Sequence, residues 1–227
     1  METHISEDKE KEQLGRKFVL HFIRHGSAAY TGSDDRDGYL TERGCEQAKG
    51  VAKEIYEELP AGAVVEFVSS DRVRARQTAE TIQEELCNLE DESNKDLIFH
   101  GYDVKTFNHI GLSGELTEEY LNLIDEKKSP VHTWLSNPSP SSAESERGFQ
   151  DFLGHLSHFA QRLPINGPDI HVIAVSHTGP SEVFVGRLLN NPEIGSLANC
   201  EQFTIELPVT KDQVVVNYKG QRKEIIL

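Results

Sequence analysis

Two histidines of this chain stand directly after apolar runs: His25 within Arg24-His25-Gly26, behind FVLHFI, and His177 within Ser176-His177-Thr178-Gly179, behind HVIAV. A third apolar run, VVEFVSS, passes into SSDRVRARQTAE and presents Arg72, Arg74 and Arg76. Two imidazoles and at least two guanidiniums describe a cradle for a tetrahedral oxyanion, because the rigid arginine fork matches phosphate oxygens in pairs. Phosphate is the ligand that this set predicts. Guanidiniums beside an imidazole disfavour a second positive charge, so the ring keeps a free lone pair at neutral pH. The arginines also fall where a helix begins; the helix dipole opposes cations there, and a bound anion explains them. Taken singly, His25 reads as a loop histidine capping a helix and His177 as a buried, hydrogen-bonded one. Their company points to a ligand.

These groups converge only if the three runs are strands of one sheet. Phe18 to Arg24 is short, apolar and partly β-branched, and stops at Gly26, as a buried strand feeding a loop would. Thr41 then reads as the N-cap of a helix to about Leu59, with Ala48, Val51, Ala52, Ile55 and Tyr56 at helical spacing. Val64 to Ser70 reads as a second strand, and Val73 to about Leu86 as a helix turning Ala75, Thr78, Ala79 and Ile82 inward. A short apolar run, Leu97 to Phe99, precedes GYDVKTFNHIGLSG, and Glu115 to Ile124 reads as helical. The Pro- and Ser-rich stretch SNPSPSSAESE, Ser136 to Glu146, reads as a loop and a hinge or lid candidate. Helical spacing resumes over Gly148 to Leu163, His171 to Ser176 is a strand, Pro180 to Leu189 a helix, and FTIEL and QVVVNY are closing strands. The alternation predicts an α/β three-layer sandwich with a central mostly parallel sheet flanked by helices on both faces. Ligands of such sheets bind at the carboxyl ends of the strands, where all three junctions lie.

Composition narrows the partners. With 23 Lys+Arg against 38 Asp+Glu, the formal charge is −15, which argues against nucleic acid and against anionic membranes. Cations gathered at one strand edge of an acidic protein would instead focus field into a single cleft. Cys45, Cys87 and Cys200 include no close pair and suit neither a disulfide framework nor a zinc knuckle, so a reducing, cytoplasmic setting is expected. The first residues lack the apolar stretch of a signal peptide or anchor. Residues 1–15 are read as a flexible leader and 16–227 as one domain with a lid or insertion at about 101–146. His155 and His158 lie three apart on a helix but lack a carboxylate or cysteine partner, and no metal is expected. His21 and His171 read as packing residues inside strands, His100 and His109 as flanking Asp103 and as candidates to line the pocket, and Glu84 to Asp96 as a solvated helix end and loop.

The chain resembles the histidine phosphatase superfamily, which includes the cofactor-dependent phosphoglycerate mutases. The resemblance rests on FIRHG (Phe22 to Gly26), LTERGCEQA (Leu40 to Ala48), SSDRVRARQTAE (Ser69 to Glu80), AES (Ala143 to Ser145) and VSHTG (Val175 to Gly179), in the family's order. It implies a covalent mechanism needing no cofactor, in which His25 attacks phosphorus and water later releases the phosphohistidine. It implies that Arg24, Arg74 and His177 hold the nonbridging oxygens. Arg74 holds the family's place ahead of the QTA stretch, which leaves Arg72 and Arg76 as surface or supporting residues.

Two departures qualify the resemblance. The family's proton donor lies in a glutamate motif after the third strand, followed by glycines. Here Asp103 stands eight residues before Gly111, and Phe107 replaces the intervening glycine. Asp103 is the expected donor, with Glu115 and Glu118 as rivals. After RHG, mutases continue with an acidic residue, a serine and an asparagine, whereas this chain has SAAYTG from Ser27 to Gly32. The resemblance therefore implies hydrolysis of a phosphomonoester, on a phosphorylated small molecule or a phosphoprotein. The alternatives are a mutase-like phosphotransferase, a phosphohistidine protein phosphatase and a catalytically silent phosphate-binding domain.

Overall fold

A computed structural model describes residues 16–30, 38–101, 103–107, 110–111, 114–164, 166–191, 193–208 and 213–226. Its main sheet is built on β1 (Lys17–Arg24), β4 (Val64–Ser69), β7 (Ile170–Ser176), β8 (Gln202–Pro208), β9 (Gln213–Tyr218) and β10 (Gln221–Ile226). The short β5 (Ile98–Phe99) and β6 (Lys105–Thr106) join one edge, and β2 (Ala28–Ala29) pairs with β3 (Tyr39–Leu40) in a separate ribbon. The helices are α1 (Glu42–Glu58), α2 (Val73–Ser93), α3 (Gly114–Asp125), α4 (Pro130–Ser136), α5 (Pro140–Gln161) and α6 (Pro180–Leu189). Strand order is β10-β9-β8-β1-β7-β4-β5, with β6 also on β4. The centre, β1-β7-β4 with β5 and β6, is parallel, whereas β8, β9 and β10 run antiparallel.

Alternation along β1 divides the core in two. Phe18, Leu20 and Phe22 point into one cluster with Trp134 of α4, Phe149 and Phe152 of α5, and Phe184 of α6. Phe22 stacks between Phe149 and Phe203, with ring centroids 5.2 and 5.1 Å away. Ile23 points the other way, with Ile173 and Val175, against α1 and α2. The five apolar positions expected inward on α1 and the four on α2 are all buried. Thr41 caps α1 as expected, its Oγ1 accepting from the Gly44 N–H at 3.1 Å.

Three expectations change. SNPSPSSAESE is not a loop over its length: α5 begins at Pro140, because Ser139 is its N-cap, accepting from the Ser142 N–H at 3.1 Å, and Pro140 fills the first turn, where its missing N–H costs nothing. α2 runs through the acidic stretch to Ser93 and stops on Asn94 at φ 52°, a left-handed cap. β10 escaped the sequence reading because its polar residues, Gln221 to Glu224, hide the strand pattern. The leader expected over residues 1–15, and His109, lie outside the described residues.

His21 and His171 are buried on the α1 side of the sheet and pack as expected, but as a pair. His21 Nε2 and His171 Nδ1 are 2.9 Å apart, and the rings stack at 5.3 Å. His155 and His158 are exposed, and no group of three or more metal-ligating side chains exists among the described residues. No helix among them is long and apolar enough to cross a membrane.

Candidate active site

Strand register builds the site. Arg24 pairs with Ser176 across β1 and β7, and Ser69 with Val175 across β4 and β7. The next residue of each strand, His25, His177 and Ser70, therefore emerges beside the others at the carboxyl edge. The His25 and His177 rings lie 5.1 Å apart at 60°. The three junctions converge as the sequence predicts.

The hydrogen bonds assign the tautomer of His25. His25 Nδ1 is 2.7 Å from the Gly26 carbonyl, which only accepts, so Nδ1 carries the hydrogen and Nε2 a lone pair. That lone pair accepts from Arg74 Nε at 3.1 Å. Burial, then the Arg74 guanidinium, lowers the His25 pKa to about 3, which keeps the ring neutral. His177 Nε2 lies 2.6 Å from Ser70 Oγ, which itself accepts from the Arg72 backbone N–H at 3.5 Å. The Ser70 hydroxyl can donate to or accept from Nε2, and the other ring nitrogen of His177, Nδ1, is buried and without a hydrogen-bond partner among the described residues. Burial, then His25 and the arginines, holds His177 well below its ordinary pKa.

Arg24 donates through Nη1 to the Leu197 carbonyl, while its buried Nε has no acceptor among the described residues. Arg74 is 2 % exposed, and its guanidinium lies 5.5 Å from the centroid of the half-exposed Tyr30 ring. Arg72, expected at the surface or in support, is buried as well, and its charge reaches His177. Arg76 is exposed. The first turn of α2 has neither a side-chain cap nor an acidic residue. Basic side chains at an uncapped N-terminus reverse the usual preference and suit an anion.

The surrounding frame is tight. A Cβ on Gly26 would meet the Gly44 carbonyl oxygen at 2.7 Å, so only glycine lets the loop after β1 lie against the start of α1. Thr78 Oγ1 accepts from the Gly26 N–H at 3.1 Å and donates to the Arg74 carbonyl at 2.7 Å, tying the two loops together. Asn199 Nδ2 donates to the His25 carbonyl at 3.0 Å. Ser70, Thr78 and Asn199 escaped the sequence reading. Ser70 and Thr78 lie inside the arginine stretch and were legible in principle; Asn199 sits in irregular chain with no pattern around it.

No hydrogen bond among the described residues ties the expected donor to either imidazole. Asp103 is exposed on the chain between β5 and β6, two residues before Lys105, which pairs with Val68 near the carboxyl end of β4. Glu115 and Glu118 are exposed, and Glu115 accepts from Ser141 Oγ at 3.4 Å. Neither imidazole hydrogen-bonds a carboxylate among the described residues. His100 is exposed, its Nδ1 3.8 Å from Glu66. Cavities of about 500 Å³, beside His21 and His171, and about 620 Å³, between α5 and α6, lie elsewhere and include none of these cations.

Comparison with known proteins agrees with the fold and gives the family. Among solved structures, the chain is similar to "Mycobacterial hydrolase 1", with 18 % identity, a TM-score of 0.59, and 92 % of this chain and 100 % of that one covered. It is similar to a mycobacterial glucosyl-3-phosphoglycerate phosphatase, with 19 % identity, a TM-score of 0.56, and 84 % and 91 % covered. It is also similar to a phosphoglycerate mutase from Bacillus anthracis, with 16 % identity, a TM-score of 0.59, and 92 % and 96 % covered. At such identities the likeness concerns the fold. No curated protein matches the chain. The model of the histidine phosphatase superfamily (branch 1) matches residues 20–211, which takes in both histidine junctions and the arginine stretch, and the chain belongs to that superfamily.

Proposed function

We propose that the protein is a phosphatase that hydrolyses a phosphomonoester through a covalent phosphohistidine on His25. One observation carries the reading: among the described residues, the buried Arg24 Nε donor has no acceptor and the buried His177 Nδ1 no partner, beside an imidazole whose outward nitrogen holds a lone pair. A buried unsatisfied donor costs about 1–3 kcal/mol, and a phosphoryl oxygen would supply the acceptor that Arg24 Nε lacks and could accept from His177 as well.

In the proposed sequence, the phosphoryl oxygens draw the Arg74 Nε hydrogen away from His25 Nε2, which frees the lone pair as substrate arrives. Nε2 attacks phosphorus, the P–N bond forms, and the P–O bond to the leaving group breaks. Arg24, Arg74 and His177 hold the nonbridging oxygens, and the buried Arg72 adds charge at the same edge. The leaving oxygen needs a proton, which we assign to Asp103 as the group at the family's spacing; Glu115 and Glu118 are the rivals. Water then attacks phosphorus and gives its proton to that carboxylate, the P–N bond breaks, and inorganic phosphate leaves. Every step runs on side chains alone, without a metal.

Hydrolysis is favoured over mutase-type transfer because SAAYTG lacks the polar groups expected after RHG. A second reading, a silent phosphate-binding domain, draws on one observation: the three candidate acids are exposed, and none hydrogen-bonds an imidazole of the site among the described residues. An aryl phosphate decides between them, since its leaving group needs little protonation. Turnover of p-nitrophenyl phosphate, with a phosphohistidine trapped in the wild type and absent from His25→Ala, is expected; retained turnover in His25→Ala refutes the assignment. We further take the protein as cytoplasmic, from its three free cysteines, and residues 101–146 as the segment that selects the leaving group.

A further inference from the structure

Glu182 is a carboxylate with no solvent exposure, set in the first turn of α6 among buried Pro180, Val183 and Phe184. Neither the oxyanion cradle nor the proton steps above use it. Its Oε1 accepts from Thr178 Oγ1 at 2.5 Å and from the Leu197 N–H at 2.7 Å, and its Oε2 accepts from the Gly179 N–H. Thr178 and Gly179 follow His177 directly. Leu197 begins a segment that holds the other half of the site. The Leu197 carbonyl accepts from Arg24 Nη1, Asn199 Nδ2 donates to the His25 carbonyl at 3.0 Å, and the Cys200 N–H donates to the Arg24 carbonyl at 3.0 Å. Arg24 itself donates through its backbone to the Glu201 carbonyl at 3.1 Å.

We propose that Glu182 is a positioning residue that clamps the loop after β7 to the segment 197–201 and thereby sets Arg24 and His177 at the spacing of one phosphoryl group. Burial raises the Glu182 pKa above its ordinary value, while the three donors, which fix the geometry of the carboxylate, and the Arg24 charge oppose that rise. A glutamine cannot replace it, because its NH2 would face a donor in place of an acceptor. A plain helix-capping role would use only the Gly179 contact; the Leu197 contact links α6 to the chain that supports Arg24 and His25. For its effect on turnover the proposal rests on the phosphatase reading, but its effect on phosphate binding does not.

The test is a double-mutant cycle of Glu182→Gln with Arg24→Ala. It reads the Kd for inorganic phosphate by calorimetry and kcat and KM for p-nitrophenyl phosphate, at a temperature where circular dichroism shows both proteins folded. Glu182→Gln is expected to weaken phosphate binding about ten-fold and to lower kcat/KM about as much or more, because small misplacements of charged donors are costly. In the Arg24→Ala background the same change is expected to cost about two-fold or less, since the two act through one network. Equal fold-losses in both backgrounds overturn the proposal and leave Glu182 a helix cap. If Glu182→Gln fails to fold, Thr178→Val, which removes one donor and keeps the carboxylate, enters the same cycle under the same criterion. Phosphate binding without turnover in the wild type refutes the phosphatase reading and leaves the clamp to be judged on Kd. No phosphate binding in the wild type overturns both.

Discussion

Acidification tests the buried imidazoles most directly. Burial, then His171, lowers His21 to a pKa of about 3, and burial, then Lys17, lowers His171 to about 4. Both are neutral in the folded chain, whereas in the unfolded chain each titrates near the ordinary 6.5. A depressed folded pKa means that the unfolded state binds the extra protons, so the stability is fully present above pH 6.5 and is lost as pH falls toward 4. At about pH 5.5 the unfolded chain carries nearly two protons on this pair and the folded chain almost none, which gives a slope of about 2 kcal/mol per pH unit from these two rings. The control is the double variant His21→Leu/His171→Leu, which removes both partners of the 2.9 Å hydrogen bond together and leaves neither orphaned. Urea unfolding at pH 7.0, 6.0 and 5.0, followed by fluorescence of the single, buried Trp134, yields both slopes. The wild type is expected to lose stability about 2 kcal/mol per pH unit faster than the double variant below pH 6. Slopes that agree within about 0.5 kcal/mol per pH unit would show that these rings titrate normally in the fold and refute the reasoning.

The other expectations concern the site. Ser70→Ala removes the 2.6 Å hydrogen-bond partner that orients the His177 ring, and kcat/KM is expected to fall about ten-fold with little change in melting temperature; unchanged kinetics would mean that the ring is held by something else. Asp103→Asn is expected to slow alkyl phosphates far more than aryl ones, and equal slowing would move the proton donor to Glu115 or Glu118. Inorganic phosphate is expected to inhibit competitively against p-nitrophenyl phosphate, because both occupy the donors of Arg24 and His177; noncompetitive inhibition would place phosphate at another site.

Much of the molecule is legible in its sequence because the signals are local. Thr41 ahead of Glu42, the apolar positions of α1 and α2, and the wholly buried β7 follow from side-chain types at short spacing, and so do the histidine and arginine junctions. Ser139-Pro140 was misread because the composition of a loop and that of a capped helix start are the same; only the Ser142 N–H bonded to Ser139 separates them. What the sequence determined alone was the inventory: which strands end in cations, and that those cations suit an oxyanion. Tertiary structure decided the pairing of Arg24 with Ser176, the burial of Arg72, the exposure of Asp103, and the support of His25 by Asn199 from 174 residues away. These depend on strand order and on hydrogen bonds that close over long stretches of chain, and the free energy that selects among such closures is spread over the whole packed core rather than written in any one segment.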